Sequence, residues 1–230
     1  MNGMMRMKIS IGAPVYQREW VLDRWFASIL DQELSLKNTS IIFAYTEGND
    51  NTLDIIHKYG QKFSDCVVLE CNDLPAFVDR NPKRYETLAI LRNRIIDKLR
   101  ELQPDYYVSW DTDILLPPGT VKGLIKDNKD VVGPYVDLVP PQDIPNCATR
   151  KGSDFRRIKP YTKFYPKGEL FEVDAVFAVS AMKNKVFNTC YYKSHPGGED
   201  YGWAENLRDA GFHSWMDSRY IGKHFYRRDN

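Results

Sequence analysis

The residues most able to do chemistry are the two aspartates of Asp111-Thr112-Asp113, which follow directly on the aromatic and apolar run 105–110. Two carboxylates flanking one residue at the end of a buried strand repel each other and lose hydration, so something must offset them. A hard divalent cation does that. Oxygen ligands suit Mg2+ or Mn2+, and such an ion completes its shell with phosphates and water. Aspartate is also common in turns, and the tripeptide taken alone reads equally well as a solvated turn after a strand. A second acidic pair, Glu199-Asp200, stands behind Gly197-Gly198 at the start of a helical stretch. Carboxylates favour the positive end of a helix by about 0.3–1 kcal/mol when exposed. A helix needing only a cap would not require two preceding glycines, which suggest a loop shaped for close approach. His224, near the C-terminus, reads by default as a surface histidine.

These residues need a frame. A strand is expected at 8–13, stopping at Pro14, and then a helix over 19–32 with Val21, Leu22, Trp25, Phe26, Ile29 and Leu30 on one face. A strand at 40–45 leads through Gly48-Asn49-Asp50-Asn51 into a helix at 52–59, followed by a strand at 66–70. Asn81-Pro82 looks like an N-cap with proline at the first helical position. Leu88, Leu91, Ile95, Leu99 and Leu102 then recur at helical steps until Pro104. The run 105–110 is the fourth strand. Such alternation predicts an α/β fold with a parallel, doubly wound sheet, whose ligands gather beyond the carboxyl ends of the strands. The second half is less regular. It has a strand at 131–134, a loop from about 139 to 168, a strand at 172–180 and a helix from about 200 to 210 closed by Gly211.

Composition narrows the classes. At 230 residues, one domain spanning 1–230 is the better prior. A hydrophobic fraction of 43% with 27% charged residues describes an ordinary folded chain, and a net charge of +1 argues against a dedicated nucleic-acid binder. Cys66, Cys71, Cys147 and Cys190 lack metal-site spacing and read as reduced thiols. The N-terminus has no apolar signal core and no stretch is apolar enough to span a bilayer, so a cytoplasmic location is expected. The stretch 146–170 carries Arg150, Lys151, Arg156, Arg157, Lys159, Lys163 and Lys167 against Asp154 and Glu169, with Phe155, Tyr161, Phe164 and Tyr165 interleaved. It is either a solvated excursion or, the favoured reading, a lid over an anionic donor or acceptor.

The landmarks taken together resemble the GT-A glycosyltransferases, in particular the family 2-like nucleotide-sugar transferases with a DxD motif. In order, they are Ala13-Pro14-Val15-Tyr16-Gln17-Arg18-Glu19, Leu91-Arg92-Asn93, Asp111-Thr112-Asp113, Val173-Asp174-Ala175-Val176-Phe177-Ala178-Val179, Gly197-Gly198-Glu199-Asp200-Tyr201-Gly202-Trp203, and Trp215-Met216-Asp217 followed by His224. The resemblance implies a Rossmann-like, mostly parallel central sheet flanked by helices, with a nucleotide-sugar half over about 8–116 and an acceptor half over about 117–225. It implies donor contacts from Pro14, Tyr16, Arg18, Glu47, Arg92, Asp111 and Thr112, with Tyr16 stacking and Arg18 acting through charge. It further implies Mn2+ or Mg2+ on Asp113, with Asp111 and His224, and Asp200 as catalytic base with Glu199 as its understudy.

Three positions depart from the family pattern. Glu47 is displaced by Thr46 from the usual place of the base-reading acid, Gln17 replaces an asparagine, and Arg92 stands where small residues are common. The implied activity is transfer of a sugar from a nucleoside-diphosphate sugar, UDP favoured, to an acceptor hydroxyl with inversion. The acceptor is left open among glycan, lipid-linked molecule, protein and nucleic acid, as is the oligomeric state. Trp110 and Trp203, beside the acidic motifs, could face a sugar or lie in the core. Two other readings remain. A nucleotidyltransferase acting on sugar phosphates should show a Gly- and Lys-rich loop after the first strand, which Gly12-Ala13-Pro14-Val15-Tyr16 is not. A non-catalytic nucleotide-sugar-binding protein would not need all of Asp111, Asp113, Glu199 and Asp200.

Overall fold

The computed structural model describes residues 7–75, 82–139, 142–152, 154–156 and 166–225. The chain begins β1 (Ile9–Val15), α1 (Glu19–Leu30), β2 (Thr39–Tyr45), α2 (Thr52–Gly60), β3 (Asp65–Glu70), α3 (Pro82–Leu102) and β4 (Tyr106–Trp110). It continues through β5 (Ile114–Leu115), α4 (Thr120–Lys126), β6 (Val131–Val136), β7 (Cys147–Lys151), β8 (Asp154–Arg156), β9 (Leu170–Val173) and β10 (Ala175–Val176). It closes with β11 (Val179–Lys183), α5 (Asn184–Thr189), α6 (Glu199–Asp209) and β12 (Ser214–His224).

The main sheet runs β3-β2-β1-β4-β11-β6-β12-β5, with β9 beside β12. β3, β2, β1 and β4 are parallel, β11 enters antiparallel to β4, and β12 lies parallel to β6. Because helices cover both faces, every residue of β1 is buried. The period of two then sorts β2: Ile41, Phe43 and Tyr45 join Trp25 and Phe26 of α1, whereas Ile42 and Ala44 join Leu91, Ile95 and Leu99 of α3. The expected mostly parallel sheet is therefore present, and β4 carries Asp111-Thr112-Asp113 at its carboxyl end.

Several expectations are corrected. β1 does not stop at Pro14 but runs to Val15, paired with β2 throughout. Val15 O accepts the Thr46 N–H on the β2 side, so Pro14 turns its backbone to the other side, where pairing with β4 has ended at Gly12. The expected strand at 172–180 is three strands, broken at Ala178 with φ 65, and each piece joins a different partner: β9 with β12, β10 with β7, and β11 with β4 and β6. The stretch expected as a loop contains β7 and β8, which with β10 form a separate three-stranded sheet because Cys147 and Ala148 bury there. Its residues 157–165, which include Arg157, Lys159, Tyr161, Lys163, Phe164 and Tyr165, lie outside the described residues, as does Asn81. β12 was not foreseen as a strand. Trp110 and Trp203 are 0% and 2% exposed and belong to the core, so neither can face a sugar. The four cysteines are free thiols. Among the described residues, no helix is long and apolar enough to cross a membrane.

Candidate active site

The site lies where β1 and β4 end and α6 begins, a cleft of about 260 Å³ that brings together Pro14, Arg18, Arg92, Asp111, Thr112, Asp113, Glu199 and Asp200. The β4 turn is fixed by local bonds. Asp111 O accepts the Ile114 N–H at 3.1 Å, and the Trp110 indole donates to Ile114 O at 2.9 Å. The turn is also tied to the end of β12, where the N–H of Phe225, the next residue, donates to Asp113 O at 2.8 Å. Across the cleft, Gly198 adopts φ 128 immediately before α6, a backbone state that only glycine takes readily. The break at Ala178 serves both acidic motifs: its carbonyl accepts the Asp111 N–H at 2.9 Å and its N–H bonds the Asp200 carboxylate. A non-glycine residue at positive φ is the kind of strain found at functional sites.

The buried Arg92 joins the two motifs. Its Nη2 donates to Asp111 Oδ1 at 2.9 Å, its Nη1 to Ser109 Oγ at 3.1 Å and its Nε to Glu199 Oε1 at 3.2 Å. Burial would lower the Arg92 pKa, but Asp111, Asp200 and Glu199 outweigh it and keep the guanidinium charged. Burial raises the Asp111 carboxyl above the ordinary range, and the Asp113 charge adds to this while Arg92 opposes it. Asp113 moves the other way. Burial raises it, yet the bond to His224 and the charge of Arg18, 3.4 Å away, leave it lowered. Asp200 is pushed up to about 7 by burial and the neighbouring Glu199, against the pull of Arg92.

The sequence profile of glycosyl transferase family 2 matches residues 10–184. The chain belongs to glycosyl transferase family 2. Over 64 residues it is 34% identical to a poly(ribitol-phosphate) beta-glucosyltransferase of Bacillus spizizenii, a match covering 28% of this chain and 10% of that protein. The fold resembles GalNAc-T7 solved with UDP, GalNAc and Mn2+, with a TM-score of 0.69 at 15% identity over 100% of this chain and 45% of that one. It also resembles S. aureus TarS 1–349 in complex with UDP-GlcNAc, with a TM-score of 0.64 at 15% identity over 96% of this chain and 60% of that one. This family 2 chain therefore spans less than two thirds of each of these proteins.

Asp113 and His224 are the side chains at this end of the cleft that could hold a divalent cation. His224 Nδ1 donates to Leu138 O at 2.9 Å, which turns Nε2 toward Asp113 Oδ1 at 3.8 Å, and the Asp113 carboxylate raises the His224 pKa against the effect of burial. A histidine oriented through its second nitrogen by a backbone carbonyl is the usual outer-shell arrangement for a metal ligand. Among the described residues, no three His, Cys, Asp or Glu side chains cluster as a complete metal site. Asp113 and His224 would supply two ligands and leave positions for phosphate and water, as suits Mg2+ or Mn2+.

Other expected residues lie apart from the cleft wall. Tyr16 packs beside Gly48, and Glu47 is exposed, its backbone N–H donating to Asn72 Oδ1 at 2.8 Å. His224 stands behind Asp113. Arg92 does line the cleft, but the three bonds above all go to protein atoms rather than being held open for a donor. Sequence reasoning missed Arg84, Tyr85 and Leu88 of α3, together with Phe177 and Tyr201, as cleft residues. Tyr201 could have been found beside the acidic pair, whereas Arg84 and Tyr85 carried no signal, because only the packing of α3 against the 197–200 turn brings them there.

Proposed function

We propose that this chain transfers a sugar from a nucleoside-diphosphate sugar, with UDP as the favoured nucleotide, to an acceptor hydroxyl with inversion of configuration. The observation that carries the reading is the pairing of two acidic motifs across one cleft in a family 2 chain, with Asp200 raised to about 7 and Asp113 lowered. Asp113 and His224 would hold Mn2+ or Mg2+, with Asp111 at the margin of the site. An ion held there would supply Lewis-acid stabilisation of charge developing on the leaving diphosphate. Asp200 takes the proton of the acceptor hydroxyl as that oxygen attacks the anomeric carbon opposite the departing diphosphate. A carboxylate whose pKa lies near the working pH suits this role. Arg18 and Pro14 border the donor, and Tyr16 and Glu47 would be reached only by its base. We also place the chain in a reducing compartment such as the cytoplasm, on the ground of its four free thiols. Family membership weighs against a nucleotidyltransferase.

The test is calorimetry with UDP, with and without Mn2+, followed by UDP release from UDP-glucose and UDP-GlcNAc over a panel of acceptors that includes poly(ribitol phosphate). UDP is expected to bind only with metal, and Asp113→Ala is expected to lose that dependence together with most of the affinity. Asp200→Asn should bind UDP as the parent does and lose about 10²–10⁴ in transfer. Metal-indifferent binding would sink the metal assignment, and unchanged transfer in Asp200→Asn would remove it as base.

A further inference from the structure

In each acidic pair, Arg92 hydrogen-bonds one carboxylate and not the other, although all four line the cleft. In the first pair it holds Asp111 at 2.9 Å, while Asp113 lies 3.4 Å from Arg18 and 3.8 Å from His224; in the second it holds Glu199 at 3.2 Å, while Asp200 accepts the Ala178 N–H. Resting on the transferase reading above, we propose that Arg92 is the positioning residue that sorts both pairs, assigning Asp113 to the cation and Asp200 to the proton by engaging the carboxylates of Asp111 and Glu199.

The placement of Arg92 is hard to explain by packing alone. It is 4% exposed, on the α3 face that also buries Leu88, Leu91 and Ile95, where an apolar side chain would fill the space without a charge to desolvate. Its guanidinium carbon also lies 5.4 Å from the Tyr192 ring centroid, and Tyr192 stacks at 4.4 Å on Trp203 of α6. The planar fork thus reaches β4 through Ser109, the metal-side turn through Asp111, and the base-bearing helix through Glu199 and this stack. Five donors in a fixed plane allow such three-way bonding, which a lysine ammonium cannot reproduce in the same geometry. The two acidic motifs are therefore held at a common spacing by one side chain from a third element.

The discriminating variants are Arg92→Lys, which keeps the charge but loses the fork, and Glu199→Gln, each checked for folding by circular dichroism and melting. The kcat for UDP release from UDP-glucose is expected to fall by about tenfold or more in each, with the donor KM moving less than about threefold. The double variant should lose little beyond either single one, because both break the same link. Independently of turnover, Mn2+ binding in the presence of UDP, read by electron paramagnetic resonance, should tighten in Arg92→Lys as Asp111 is released. Adding Asp111→Asn should reverse that gain. Additive losses, a raised KM at unchanged kcat, or a lower melting temperature with unchanged kcat and Mn2+ affinity would each overturn the proposal. If Arg92→Lys does not fold, coupling between Asp111→Asn and Glu199→Gln decides the matter, and additivity there refutes it. Wild-type protein that releases no UDP from any donor would count against the transferase reading alone, since the Mn2+ measurement needs no sugar.

Discussion

Asp200 carries two opposed consequences of one environment. Burial and the Glu199 charge raise its pKa to about 7, so the folded chain keeps a proton that the unfolded chain, with an ordinary aspartate near 3.9, gives up at lower pH. Between those two values the folded state binds more protons, so stability falls as pH rises, and the full penalty is present above about pH 7. Asp200→Asn removes that penalty. It is expected to raise the melting temperature at pH 8 by a few degrees, corresponding to about 0.5–2 kcal/mol, with little gain at pH 5. The same variant should lose transfer, and wild-type kcat should climb through an acid limb near pH 7. A melting temperature unchanged at both pH values would show that Asp200 titrates normally.

At the scale of elements, the start of α6 matters because Asp200 can only be as well placed as its helix. A Cβ added at Gly202 would sit 2.0 Å from the Lys193 carbonyl oxygen, so the helix packs against backbone that cannot swing aside. Gly202→Ala is therefore expected to cost about 1–3 kcal/mol by overpacking. The relief is an outward shift of α6, which should lower kcat while leaving UDP affinity in Mn2+ intact, as calorimetry and UDP release together would show. Ala178 is the complementary case. Its φ of 65 is strained for alanine, and both acidic motifs bond its backbone, so Ala178→Gly should melt at the same temperature or higher while retaining UDP binding. Loss of binding in that variant would mean that the alanine methyl itself shapes the cleft.

For the whole molecule, the sheet decides whether the two halves are one unit. β4 of the N-terminal half pairs with β11 of the C-terminal half from Tyr106 to Trp110, and β11 in turn pairs with β6. Separating the halves would expose the whole edge of β4, so we propose that they fold as one domain. Urea unfolding followed by both tryptophan fluorescence and circular dichroism is expected to give one coincident transition. Two resolved transitions would instead assign the halves to separate units.

The first half of the fold and the candidate carboxylates of the site could be read from the sequence alone. α1 and α3 were legible because their apolar faces repeat locally, and β1, β2 and β4 because strands buried on both faces read as continuous apolar runs; β3, a half-exposed edge strand, was legible from its short Cys66-Val67-Val68-Leu69 run. Asp111, Asp113, Glu199 and Asp200 stood out because charge placed beside buried elements is conspicuous in any register. Only the tertiary structure decided the short strands of the second half, the break at Ala178, the entry of β12 and the role of Arg92. Strands of two to five residues such as β9, β10 and β11 have too few positions to display a period, and their partners lie far along the chain. The Arg92–Glu199 bond spans 107 positions and exists only because α3 and α6 meet over the end of β4. Local patterning could name the acids, but that Asp111 and Glu199 share one arginine partner follows only from a side chain delivered from another helix.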